Sequence, residues 1–129
     1  MKNTIKAFSI VLLFLFAACD KEDVNLDTNS VQGTWKLSES YISEGGKGDW
    51  APTKVDLVVE FKADGSLGGN AYPEYVTYSI KDGSTIVLLT KDKTEQNYAY
   101  ELNGGKLSMS PSGPIICTEG CGNRFYKIN

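Results

Sequence analysis

Beyond residue 31, apolar and polar positions alternate with a period of two over most of the chain, the pattern of half-buried strands. Val55, Leu57, Val59 and Phe61 alternate almost cleanly with Asp56, Val58, Glu60 and Lys62. Val76, Tyr78 and Ile80 alternate with Tyr75, Thr77, Ser79 and Lys81, and Tyr98, Tyr100 and Leu102 with Asn97, Ala99 and Glu101. Asp64-Gly65, Asp82-Gly83 and Asn103-Gly104-Gly105 stand between these runs and tolerate the positive φ of tight hairpins. The pattern predicts strands over 34–43, 54–62, 66–71, 75–81, 85–90, 96–102 and 106–110, with a last run ending at Ile128. Gly120-Cys121-Gly122 divides that last run. No stretch carries helical periodicity over a credible length. Short hairpins make sequential strands antiparallel neighbours. Eight strands with one apolar face close most simply into an up-and-down barrel, which removes exposed edges. The expected fold class is therefore all-β, an antiparallel meander closing into an eight-stranded barrel; a flattened, partly open barrel is the alternative.

The N-terminus follows a different pattern. Lys2 and Lys6 precede an apolar run over 7–16 that only Ser9 interrupts. Ten residues are too few to span a bilayer as a helix, which takes about 20, but they match the core of a signal peptide. Phe16-Ala17-Ala18-Cys19 closes the run and resembles a bacterial lipobox, with phenylalanine where leucine is commoner. The resemblance implies cleavage before Cys19 and a diacylglycerol thioether on its sulfur. Two or three acyl chains give stable anchoring where one does not. Residues 1–18 are thus expected to be a lipoprotein signal peptide, and 19–30, with only Val24 and Leu26 as large apolar residues, a flexible tether. Residues 31–129 are expected to form one folded domain. Asp20-Lys21-Glu22-Asp23 is either a solvated spacer or, by its resemblance to the surface-export signal of Bacteroidetes lipoproteins, an address for the cell surface. The expected location is the outer membrane, lipid-anchored, on its periplasmic face or at the surface.

Charge and composition narrow the chemistry. Without Lys2 and Lys6 the remaining chain carries 11 basic against 16 acidic residues, a net charge of −5. That argues against a nucleic-acid partner, which needs a basic face. There is no histidine and a single arginine, Arg124. Triad hydrolysis and histidine-ligated zinc are excluded, and no pair of carboxylates stands out as acid and base. The expectation is a non-enzymatic monomer without cofactor or metal. Cys117 and Cys121 supply only half a zinc site, so in an exported protein a local disulfide is the better reading. It closes a loop of five residues, contributing about 2 kcal/mol in the chain-entropy account.

Gly33-Thr34-Trp35 at the start of the first strand resembles the G-x-W signature of lipocalins. Phe61-Lys62-Ala63-Asp64-Gly65, Asn103-Gly104-Gly105-Lys106-Leu107 and Arg124-Phe125-Tyr126-Lys127-Ile128 reinforce it. Together they resemble the lipocalin-like domains of Bacteroidetes lipoproteins over about residues 31 to 129. The resemblance implies that Gly33, Trp35 and Arg124 are structural, with Arg124 packed across Trp35 at the closed end of the barrel. It also implies that the loop over 43–53, which carries Trp50, covers the open end as a lid or a plug. Asn70-Ala71-Tyr72-Pro73 is a second candidate for that rim.

The expected inward set is Trp35, Leu37, Tyr41, Val55, Leu57, Val59, Phe61, Val76, Tyr78, Ile80, Tyr98, Tyr100, Leu107 and Met109. This is a bulky list for an eight-stranded barrel, which is just wide enough for one small ligand. Glu39 is expected on the same face as Leu37 and Tyr41, where a carboxylate must be paired or solvated. Glu39, Tyr41, Trp50 and Tyr72 are the candidate ligand-binding residues. Two functions follow: a small hydrophobic ligand held at the barrel mouth, or an interaction module that binds an envelope protein or glycan through its rim loops.

Overall fold

Hairpin chemistry dictates the course of the chain. The computed structural model describes residues 30–43, 45–118 and 120–129. The expected signal segment, Cys19 and the tether as far as residue 29 lie outside the described residues. Among the described residues there are nine strands and no helix: β1 (Gly33–Ile42), β2 (Asp49–Pro52), β3 (Val58–Phe61), β4 (Leu67–Gly69), β5 (Tyr75–Asp82), β6 (Thr85–Thr90), β7 (Glu95–Asn103), β8 (Lys106–Gly113) and β9 (Cys121–Lys127). Every pairing is antiparallel, in the order β4-β3-β1-β9-β8-β7-β6-β5, with β2 beside β1. β4 meets β5 through the Ser66–Thr77 bridge and the bond from the Tyr78 amide to the Gly65 carbonyl, 2.9 Å. The sheet is an all-β barrel, nearly closed.

The ninth strand lies in the segment expected to be irregular. β2 and β3 both flank β1 on one side, at Glu39–Ile42 and Gly33–Lys36 respectively. β3 is the second half of the strand expected over 54–62, whose first half is irregular, and β2 extends the same flank of β1, so the eight-stranded path survives. The break between β2 and β3 faces an irregularity in β1: against β9, Leu37 pairs Phe125 and Glu39 pairs the adjacent Arg124, which leaves Ser38 as the extra residue of a bulge.

That bulge overturns part of the expected inward set. Cross-strand partners share a face, and one inserted residue sends every later side chain to the opposite face. Leu37 pairs the fully buried Phe125 and points inward. Glu39 pairs Arg124 and Tyr41 pairs Gly122, so both lie on the outer wall instead of sharing Leu37's face. Val55, in the break, is exposed. Val76 falls at a register shift of β5, and Ile80 lies on the stretch of β5 beyond the Thr77 bridge to β4; both are half exposed. Ile86, Leu88 and Phe125 complete the core in their place.

The closed end is densely filled. Trp35, Val59, Phe61, Leu107 and Phe125 have no exposed surface. The Trp35 indole N–H donates to the Val31 carbonyl at 2.7 Å, and the Thr34 amide to the Asn129 carbonyl at 2.8 Å, so the two ends of the domain clasp here. Gly33 makes this possible: its φ is +130°, and a Cβ there would collide with the Asn129 carbonyl.

Candidate functional site

The opposite end carries the functional candidates, and the fold divides them between two faces. Inside, the turn over 70–74 aims Tyr72 into the barrel. Asn70 fixes this turn against the β2–β3 break: its Oδ1 accepts from the Val58 amide at 2.8 Å and its Nδ2 donates to the Asp56 carbonyl at 3.1 Å. Tyr72 is consequently buried, with its ring 5.2 Å from Tyr98 and 6.3 Å from Phe125. Its hydroxyl lies 3.9 Å from the Met109 sulfur. Tyr72 therefore plugs the lumen; the loop tryptophan does not.

Above this plug is a pocket of about 330 Å³. Tyr72, Met109 and Tyr98 line it together with Pro111, Ile42, Ser40 and Asn123. Burial pushes the Tyr72 phenol up to about 12, with a hydrogen bond from Asn123 opposing the shift and the Glu74 carboxylate adding to it. Burial also raises Tyr98, helped by Tyr72, Tyr75 and Glu74. Both phenols are neutral at ordinary pH; the Tyr72 O–H donates to the Met109 sulfur, and Tyr98 lines the pocket beside it. Gln96, itself buried, fastens the lip: its amide exchanges two hydrogen bonds with the backbone of Ile115, at 2.8 and 3.1 Å. The Cys117–Cys121 disulfide, with Cα atoms 5.8 Å apart, ties the following turn to β9.

On the outer wall the register of β1 with β2 and β9 sets Glu39, Tyr41, Trp50 and Arg124 side by side. Arg124 Nη1 donates to Glu39 Oε2 at 2.6 Å, and Arg124 Nε to Ser108 Oγ at 3.4 Å. The guanidinium carbon stands 4.0 Å from the Trp50 ring centroid, and Tyr41 lies 5.5 Å from Trp50 on a tilted plane. The expected Arg124–Trp35 pairing is thus corrected. β9 alternates, so Phe125 takes the inward position and Arg124 faces out; Trp35 instead receives Lys127, whose Nζ is 5.3 Å from its centroid.

Of the four expected ligand-binding residues, Glu39, Tyr41 and Trp50 come together on the outer wall and Tyr72 is inside; Tyr41 also lines the rim of the mouth pocket with Tyr72. Met109, Tyr98, Pro111 and Asn123 also line the mouth. The first two carry the alternation signal, but neither Pro111 within a strand nor Asn123 beyond a glycine announces an inward wall. Among the described residues no cluster of three or more His, Cys, Asp or Glu side chains is placed to hold a metal.

A nearly closed antiparallel barrel with a G-x-W clasp at one end meets a matching observation from sequence comparison: the family model described as lipocalin-like domain matches residues 31–109. The chain belongs to the lipocalin-like domain family. The match covers β1 to the middle of β8, and β9 completes the sheet by pairing with both β8 and β1. The family is generally non-enzymatic. No curated protein matches the chain.

Proposed function

We propose that this lipocalin-like protein is a lipid-anchored, non-enzymatic binding module that holds a small hydrophobic ligand at the barrel mouth. The observation that carries this reading is the pocket of about 330 Å³ above the Tyr72 plug. It sits at the low end of the roughly 300–1,000 Å³ typical of ligand sites. Below Tyr72 the barrel is filled by Trp35, Phe61, Phe125 and their neighbours. A compound of about one or two rings, or a short chain, fits; a long acyl chain threaded through the lumen does not. Its apolar body packs on Met109, Pro111 and Ile42, and one polar group meets the Tyr98 hydroxyl or Asn123.

The anchor is the Cys19 lipobox, with placement on the outer membrane. Residue 30 joins the domain at the closed end, where Lys127 Nζ donates to the Ser30 carbonyl at 3.2 Å. The tether to Cys19 thus leaves the domain at the end opposite the mouth.

Native mass spectrometry of the full chain tests the ligand reading. The wild type is expected to carry a small apolar adduct, and Ser40→Phe, which fills the mouth from an inward position, to lose it. Equal adducts on both proteins, or none on either, overturn the reading. Palmitate labelling tests the anchor: label and membrane partitioning are both expected to disappear in Cys19→Ala.

A further inference from the structure

We infer that the outer wall carries a second site, a groove for a neutral oligosaccharide centred on Trp50 and the Arg124–Glu39 pair. Three depressions of about 360, 330 and 230 Å³ adjoin one another there. The first two share Trp50 and Ser110, and the last two share Arg124, Ser108 and Glu101, so they form one continuous strip. Along β8 the strip runs from Ser110 to Lys106, about 14 Å at the rise of an antiparallel strand. That length suits a few linked sugar units. The groove lies on the outside of the barrel and meets the mouth at Tyr41, Pro111 and Cys121, which line both.

The chemistry of the strip selects its occupant. Trp50 and Tyr41, both partly exposed, line the strip; the C–H face of a pyranose packs on the face of such a ring, and the Trp50 face away from the Arg124 guanidinium is the one left for it. Alternating with the two rings are groups of both hydrogen-bonding polarities, as a polyol requires. Ser108 and Ser110 donate and accept, Glu101 and Glu39 accept, and Arg124 commits only two of its five N–H donors to Glu39 and Ser108. The charges cancel: Arg124 and Lys106 against Glu39 and Glu101. A strongly anionic or cationic ligand gains nothing from such a strip, whereas a neutral one does. Both members of the ion pair keep exposed surface, 26 % for Arg124 and 31 % for Glu39, so they remain within reach of a ligand. The strip is also pre-organised. Arg124 is held by Glu39, Ser108 and the Trp50 ring, all on paired strands, so binding orders few side chains.

The chain's two tryptophans make the test direct. Trp35 is fully buried at the closed end, so a ligand-induced change in emission reports Trp50. The full chain, in a detergent without a sugar headgroup, is titrated with cellohexaose, chitohexaose, mannohexaose and galactohexaose by fluorescence and calorimetry. At least one is expected to bind with little dependence on salt, as befits an uncharged ligand. Trp50→Ala is expected to weaken binding about 30-fold, the loss usual for a central aromatic anchor. Glu101→Ala, at an exposed position that the core does not need, is expected to weaken it roughly tenfold through a lost charged acceptor. Ser40→Phe, which fills the mouth, is expected to leave it unchanged. Failure of all four sugars to bind overturns the inference, as does binding that survives both groove variants. Loss of sugar binding in Ser40→Phe overturns it too, because the sugar then occupies the mouth; the mouth ligand stands or falls separately by its own adduct.

Discussion

The two ends of this barrel are built on different principles. At the closed end, short hairpins bring Trp35, Phe61, Leu107 and Phe125 into a sealed apolar floor, and backbone bonds clasp Thr34 to Asn129 and Ile128. At the mouth, long loops are fastened by discrete devices: the Asn70 turn, the Gln96 clamp and the Cys117–Cys121 bridge. Ile42, Ile115 and Ile116 stay exposed there. Dense burial supplies stability without directionality. Point fastenings supply shape at small cost and leave space between them. The contrast teaches why the pocket opens at one end only, while the outer groove starts near the mouth at Trp50 and runs along β8 toward the closed-end hairpin.

The largest expected effect breaks the comparison at the floor. Phe125→Ala removes a fully buried ring packed against Tyr72 and is expected to cost about 3–5 kcal/mol in urea unfolding. Ile42→Ala, at the mouth and 65 % exposed, is expected to change stability by less than about 0.5 kcal/mol. Similar losses at both positions would mean that the mouth is as much a part of the core as the floor.

Next comes the plug. The Tyr72 phenol is pushed up to about 12 from an ordinary value of 10.0. The folded state holds this proton after the unfolded state has released it, so stability is complete below pH 10 and declines as pH rises toward about 12. A shift of that size corresponds to about 2–3 kcal/mol at the top of the window. The urea midpoint is expected to fall over this range more steeply in the wild type than in Tyr72→Phe, which has no proton to lose there. Parallel curves would show that Tyr72 is in contact with water.

Reduction of the disulfide sharpens the same contrast at lower energy. A bridge closing five residues is worth about 2 kcal/mol by the entropy it removes from the unfolded chain. The double variant Cys117→Ser with Cys121→Ser is expected to lose no more than this. It is also expected to raise amide exchange over 116–120, while the Ile115 amide, which donates to Gln96, and the floor stay protected. Exchange that rises equally at both ends would show the mouth to be no separate unit.

How far these regions were legible in the sequence follows from the same physics. Alternation marks strands wherever one face is apolar, so Val58–Phe61, β7 and most of β5 stand out, and the Asp-Gly and Asn-Gly turns punctuate them. The G-x-W run marks the floor because Gly33 and Trp35 have demanding geometry. The Ser38 bulge leaves no such trace, since Ser38-Glu39-Ser40 is polar on both faces and a shifted register looks the same as a regular one. With the bulge hidden, Glu39 and Tyr41 are assigned to the wrong wall. β2 is concealed in a similar way, because glycines before it and Pro52 within it make a paired edge look like a loop. The Tyr72 plug depends on Asn70 bonding to Val58 and Asp56, a contact twelve and fourteen residues away that no local pattern records.

The smallest expected effect concerns the two cations and decides which tryptophan each one serves. Arg124 stands over Trp50 on the outer wall, and Lys127 over Trp35 at the floor. Cation–π contacts of this kind contribute about 0.5–1 kcal/mol at partly exposed sites, so Arg124→Ala and Lys127→Ala are each expected to cost about that much. Stability alone does not separate them, but emission does. In a Trp50→Phe background, where Trp35 is the sole fluorophore, Arg124→Ala is expected to leave the spectrum unchanged and Lys127→Ala to shift it. With Trp35→Phe in place instead, the pattern is expected to reverse. Trp35 emission that responds to Arg124→Ala would put the arginine back at the closed end. It would also return β9 to the opposite register, with Phe125 outside and the outer groove without its central cation.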